Sequence, residues 1–354
     1  MKRIVTIAFL ALMWCLAFSQ SGELPDELRQ VVEKERYLRV MFYNCENFFD
    51  IDDDPNKNDD EFTPDGEKHW TKQRFYTKRA QISKVIAAVG GWTPPDIVGL
   101  CEVESRSVIE SLVNNSNLRR FGYSYLHKES PDSRGIDVAL LYQPKRFKPF
   151  RVSYIPVFVQ KNGRGTRDII MASGTTVNGD TLHVFVNHWP SRWGGQTETD
   201  ELRRDVAKIV RSKVDSLFAD NQRAAIIIMG DLNDYPDNNS VCIELQTQTD
   251  FSTIEQSKLY NLAYYMQFVK GWGTHKYDGN WGILDQMIIS GALLDGNGPL
   301  NTTKDDAQVF NAPFLLEADD ASVGFKPYRT YAGYKYLGGY SDHLPVFLNI
   351  YHNK

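Results

Sequence analysis

Ala224-Ala225-Ile226-Ile227-Ile228-Met229, followed by Gly230-Asp231-Leu232-Asn233-Asp234, is the stretch around which the rest of the chain is organised. The first six residues are short, apolar and β-branched, the composition of a buried strand, and the next five have the residues of a turn at its end. A carboxylate and a carboxamide two residues apart are therefore delivered from the rim of a sheet. Both are hard oxygen donors of the kind Mg²⁺, Mn²⁺ or Ca²⁺ takes, and such a carboxylate can also orient an attacking water.

Other segments repeat this pattern of apolar strand and polar tip. Leu38 to Tyr43 leads into Asn44-Cys45-Glu46-Asn47, and Asp96 to Leu100 into Cys101-Glu102-Val103-Glu104. Leu182 to Val186 runs into Asn187-His188-Trp189, and Gly339-Tyr340-Ser341-Asp342-His343 opens a final strand. Gly135 to Tyr142 and Trp281 to Ser290 carry Asp137 and Asp285 near their starts. Burying Asp137 unpaired is costly, so a partner is expected for it. Thr71 to Val89 and Asp200 to Phe218 have the spacing of amphipathic helices.

Length and composition bound the class. The 354 residues are 42% hydrophobic and 24% charged, as in ordinary globular proteins. Lys2 and Arg3 precede an apolar run from Ile4 to Phe18 and a small-x-small end at Ala17-Phe18-Ser19, which reads as a cleavable signal peptide over residues 1–19. The run is too short to span a membrane, and no transmembrane segment is expected after it. Bulky Trp14 before Cys15 disfavours a lipoprotein anchor. A secreted or periplasmic protein is expected, with a lead-in over 20–37 and a single domain over 38–354. Cleavage removes two positive charges and no negative one, taking the net charge from −5 to −7. That weighs against sequence-independent grip on nucleic acid, which depends on neutralising phosphates.

Asp50, Asp52, Asp54, Asn56, Asn58 and Glu61 fall at the spacing of a calcium loop, but Pro55 stands where the sharp turn needs Gly. A solvated acidic loop or a structural Ca²⁺ are the two readings. Cys45, Cys101 and Cys242 remain in the mature chain, either as buried thiols or with one disulfide among them.

Gathered at one rim, these tips would form an acidic, histidine-containing pocket. Phosphate-ester hydrolysis needs a divalent cation, a carboxylate-aligned water and a histidine held by a carboxylate. The motifs, in this order, resemble the endonuclease/exonuclease/phosphatase superfamily over Leu38 to Tyr351. The resemblance implies an α+β fold, a four-layer sandwich of two packed mixed β-sheets flanked by helices. It implies Glu102 as the central metal-binding residue, with Asn44, Glu46 and Asp342 near the same ion, Mg²⁺ or Mn²⁺. Asp231 resembles the residue that aligns or deprotonates the water, and Asn233 its phosphate-binding neighbour, both also close to the metal. His343 resembles the essential histidine and Asp285 the carboxylate that orients it. His188 is similar to the second histidine of the deoxyribonuclease branch, with Asp137 as its carboxylate partner and Arg167 as a phosphate contact.

The leading expectation is a nuclease hydrolysing DNA or RNA phosphodiesters. A phosphatase or phosphodiesterase for small or lipid phosphates, such as sphingomyelin or inositol phosphates, is the alternative. A binding module that has lost its chemistry is the third, and the full set of site residues speaks against it.

Overall fold

A computed structural model describes residues 37–91, 93–158 and 165–353; the expected signal peptide and the lead-in up to Glu35 and Arg36 lie outside them. In chain order the strands are β1 (Tyr37–Phe48), β2 (Ile97–Val103), β3 (Ser124–His127), β4 (Asp137–Tyr142), β5 (Phe147–Ile155), β6 (Ile169–Thr176), β7 (Thr181–His188) and β8 (Ile226–Asp231). After them come β9 (Thr247–Gln248), β10 (Leu259–Asn261), the hairpin β11 (His275–Tyr277) and β12 (Asn280–Gly282), and β13 (Asp285–Ser290). Short pieces follow: β14 (Leu300–Asn301), β15 (Ala307–Val309), β16 (Leu316–Ala318), β17 (Phe325–Pro327), β18 (Tyr331–Ala332) and β19 (Lys335–Tyr336), before the closing β20 (Val346–His352).

Two seven-stranded sheets result. One runs β14-β20-β1-β2-β4-β3 with β15 also on β20; the other runs β5-β6-β7-β8-β13-β10-β9. Both are mixed: β1 lies parallel to β2 and β7 to β8, while their other neighbours are antiparallel.

The period-2 alternation of β1 assigns its faces. Val40 and Phe42 point between the sheets, against Ile227, Met229, Val184 and Met287 of the other sheet. Met41, Tyr43 and Cys45 point outward, beneath helices α1 (Lys72–Gly90) and α2 (Arg106–Asn114). On the far side, α3 (Gln196–Asp220) lays Val206, Val210, Val214 and Leu217, spaced at helical period, over Ile226 and Ile228. The layers are thus helix, sheet, sheet, helix, the expected architecture. Each fully buried aliphatic side chain in the inter-sheet layer contributes about 1.5–3 kcal/mol. Gly99 keeps the sheets close, since a Cβ there would sit 2.8 Å from Met229 Cε.

Local rules set the element ends. Thr71 caps α1 by accepting from Arg74 N, and Gly91 leaves the helix at φ 67°. Cys45 and Cys101 face opposite sides of one sheet and, with Cys242, are free thiols, so the disulfide reading gives way to the buried-thiol one.

Candidate active site

Strand register brings the site together. His188 at the end of β7 lies opposite Asp231 at the end of β8, and Asp231 lies opposite Asp285 at the start of β13. Gly230 permits this row, because a Cβ there would stand 2.5 Å from Asn187 O. The first sheet faces the row with Asn44, Glu102 and the Asp342-His343 turn. Asn44 donates from Nδ2 to Asp231 Oδ2 at 3.1 Å and to Glu102 Oε1 at 3.3 Å, joining the two sheets across the hollow.

Backbone strain concentrates here. Glu46, Asn47, Glu102 and Asn233 all have positive φ, 47°, 57°, 55° and 51°. Such non-glycine conformations cost of order 1–3 kcal/mol each and persist where the surroundings fix them. Register shifts between Asn44 and Phe48 and between Cys101 and Val103 are β-bulges that turn Glu46 and Glu102 out of the alternation. Asn47 N then donates to Glu102 Oε2 at 2.9 Å.

His343 and Asp285 form a short polar pair, Nδ1 to Oδ2 at 2.7 Å, both buried. Burial alone would depress the imidazole, but Asp285, Asp231 and Asp342 outweigh it and hold His343 well above the usual histidine range. Its Nε2 is left facing Asp231 Oδ2 at 3.9 Å. The Asp231 carboxyl is pushed up to about 6, first by burial, against the pull of His343 and with repulsion from Asp285 and Glu102. His188 is driven well below its ordinary range by burial and by the Arg167 and Arg134 guanidiniums. It is therefore neutral, with Nε2 3.8 Å from Glu102 and 3.9 Å from Asp231.

A divalent cation fits this hollow on two observations. Glu102, Asp231 and Asp285 gather around His343 with a neutral His188 beside them, and the donors are mainly hard oxygens. Among the described residues, buried His188 Nδ1 and Asp285 Oδ1 also lack hydrogen-bond partners. Glu102 and Asp231, with Asn44 and Asp342 at hand, are the residues that would hold the ion.

Three expected roles change. Asp137 does not meet His188: its Oδ2 lies 3.3 Å from His127 Nε2 and its Oδ1 accepts from Ser130 N, because β4 pairs with β3 and brings His127 alongside. Arg167 is buried behind His188, with Nη2 on Trp189 O at 2.6 Å and Nη1 on Asp132 at 3.2 Å, so it braces the His188-Trp189 turn instead of reaching a phosphate. Glu46 is committed elsewhere, accepting from Thr330 N at 2.6 Å and Tyr331 N at 3.3 Å, with Arg329 Nε 3.6 Å away. Its carboxylate anchors the Arg329–Tyr331 segment. Asn233 lies beside Asp231: its N donates to Asp231 Oδ1 at 2.9 Å and its Nδ2 to Trp189 O at 3.0 Å.

Other residues at the site gave no motif in the sequence. Arg329 donates from Nη2 to Asp342 Oδ2 at 3.0 Å, Lys78 reaches Thr330 Oγ1 and Tyr340 O from α1, and the His275 ring lies tilted against His343 with centroids 4.8 Å apart.

The Asp50 to Glu61 loop turns its carboxylates on itself: Asp50 accepts from Asp52 N and Asp54 from Asn56 N, while Ser107 donates to Asp50. That is the arrangement of an acidic loop stabilised by its own N–H groups. With Glu104 and Glu129 it lines a cleft of about 160 Å³.

The chain matches the endonuclease/exonuclease/phosphatase family over residues 39–352. It belongs to that family. Its members are phosphoesterase hydrolases that depend on a divalent metal, and the chain is therefore read as a hydrolase of phosphate esters. No curated protein matches its sequence. Among solved structures, a humanised D. rerio TDP2 superposes with TM-score 0.55 at 14% identity, covering 90% of this chain and 99% of that one. The human Nocturnin catalytic domain gives TM-score 0.55 at 16% identity, covering 90% and 95%. A family protein from Bacteroides vulgatus gives 0.55 at 12%, covering 90% and 99%. At these identities the likeness is one of fold.

Proposed function

We propose that this family member is an exported, Mg²⁺- or Mn²⁺-dependent phosphodiesterase whose substrate is nucleic acid. The observation that carries the reading is the 2.7 Å His343–Asp285 pair facing Asp231 across the hollow. Bound at Glu102, a divalent cation supplies charge neutralisation for phosphate oxygens and the leaving group. Asp231, ionised and fixed by Asn44 and Asn233 N, takes the proton of the attacking water. Asp285 holds His343 with Nε2 toward the substrate, where its proton and charge stabilise the developing phosphorane. Neutral His188 offers a hydrogen-bonding nitrogen beside Glu102. The basic-then-apolar start of the chain supports export.

Support for nucleic acid comes from the hairpin. Exposed Tyr277 and partly exposed Trp272 and Trp281 provide faces on which bases stack, and both tryptophans line a hollow of about 210 Å³ with Leu344, next to His343. D. rerio TDP2, which shares the fold at TM-score 0.53, is known in complex with a single-strand DNA product. The acidic cleft favours a second reading, small or lipid phosphates. Purified protein with Mg²⁺, offered single-stranded DNA, plasmid DNA, RNA, sphingomyelin and inositol phosphates, is expected to cleave the nucleic acids. Turnover of the others alone would replace the reading with the second.

The pH profile follows from Asp231. Its base form is required, so activity falls as pH drops through the carboxyl's pKa, which lies at about 6 without a cation and lower with one. The acid limb of kcat/KM is expected no higher than about pH 6. Neutralising the exposed tip by Asp52→Asn with Asp53→Asn removes two negative charges that repel a polyanion. The KM for DNA should fall a few-fold at low salt, and the difference should vanish at high salt.

A further inference from the structure

The hairpin β11–β12 brings a third histidine to the site, and its setting is built. Thr274, fully buried, accepts from Leu344 N through its carbonyl at 2.7 Å and from Leu284 N through its hydroxyl at 3.2 Å. His275 and His343 are joined as a backbone bridge, and their rings lie against each other, centroids 4.8 Å apart and planes tilted by 39°. His343 cannot turn away, because Asp285 holds its Nδ1. Asp342 is held as well: Arg329 engages Oδ2 at 3.0 Å and leaves Oδ1 4.0 Å from His343 Nε2. One ligand atom from each of His275, Asp342 and His343 falls within 4.8 Å of the others.

We propose that His275, Asp342 and His343 form a second site, for a transition-metal ion of the Zn²⁺ class, which shares Asp342 and His343 with the edge of the oxygen-lined hollow and adds His275. Two imidazoles and a carboxylate suit Zn²⁺ or Co²⁺, whereas Mg²⁺ prefers oxygen ligands. Donors of a tetrahedral site with bonds of about 2.0–2.1 Å stand roughly 3.3 Å apart, so side-chain adjustments of about an ångström close the set. Asp285 supplies the carboxylate behind a metal-bound imidazole that orients such ligands. The ion takes the His343 nitrogen that faces substrate. Zn²⁺ is therefore an inhibitor of Mg²⁺-supported turnover, a consequence that rests on the proposed hydrolysis, whereas ion binding itself does not.

The test is titration of the full chain with Co²⁺, followed by visible absorption. The wild-type protein is expected to show the ligand-field bands of a low-coordinate site, displaced by Zn²⁺ and unaffected by a large excess of Mg²⁺. His275→Gln should weaken Co²⁺ binding at least about tenfold. His275→Cys should retain the ion and add a thiolate-to-cobalt charge-transfer band, which reports direct coordination even where His275→Gln fails to fold. Bleaching of the wild-type bands by Mg²⁺, equal affinity in His275→Gln, or a folded His275→Cys without the new band would each overturn the site. A protein that binds Co²⁺ this way and hydrolyses nothing removes the functional reading alone. One that hydrolyses phosphodiesters and lacks the cobalt bands removes this inference alone.

Discussion

Asp231→Asn is expected to lower kcat about 10³-fold while leaving the fold intact, since a positioned general base contributes about 10²–10⁴. An amide keeps the oxygen that accepts from Asn233 N, sets an NH₂ against Asn44 Nδ2 in place of the second oxygen, and cannot take a proton from water. The lost Asn44 bond is offset because burial disfavours the charged carboxylate and the amide escapes that cost, so stability should change little. His343→Ala should lose a similar factor by removing the donor that faces the phosphate. The two losses should not add when combined, because both groups act in one transition state. Steady-state kinetics on one oligonucleotide, with thermal unfolding as the control, checks both. Activity within tenfold of the wild type in either variant would remove that residue from the chemistry.

Three residues further on, Asp234 should respond in the opposite way. It is buried, 2.8 Å from Arg203 and 3.3 Å from Arg192, and accepts from Ser240 Oγ at 2.6 Å. Arg203 is itself fully buried on α3, so the pair ties the helix to the loop that carries Asp231. Breaking a buried ion pair by removing one partner costs about 3–5 kcal/mol, because the other charge is left uncompensated. Asp234→Ala strands Arg203 and belongs at the upper end. Arg203→Ala leaves Asp234 with Arg192 and Ser240 and belongs at the lower end. Chemical denaturation should show a lower midpoint at an unchanged slope. A midpoint shift worth less than about 1 kcal/mol in Asp234→Ala would contradict the pairing.

The contrast between Asp231 and Asp234 marks what the sequence made legible. Ile226 to Met229 announce a buried strand, and turn residues announce its rim, so the position of Asp231 could be read from composition. Nothing local distinguishes Asp234, whose partner Arg203 reads as one more charge on a helix. The same limit hid the partner of Asp137, because Ser124 to His127 is too short a strand to show alternation. Glu46 and the Thr330 and Tyr331 amides that bind it are more than 280 residues apart, and no spacing rule spans that distance. Between Gly291 and Lys335 the strands are two or three residues long, below the length at which a period of two can be seen. His275 was invisible for a different reason: it lies on a hairpin before β13 that reads as loop, and only the bridge to His343 gives it meaning.

Cleavage of a labelled single-stranded DNA by chelator-stripped protein, before and after Mg²⁺ is restored, addresses most directly whether the hollow between the sheets is a cation-dependent hydrolytic centre. Stripped wild-type protein should be inert, recover on adding Mg²⁺, and fail to recover when Glu102 is replaced by Gln. Turnover that persists in chelator, or that Mg²⁺ restores as fully in Glu102→Gln as in the wild type, would contradict it.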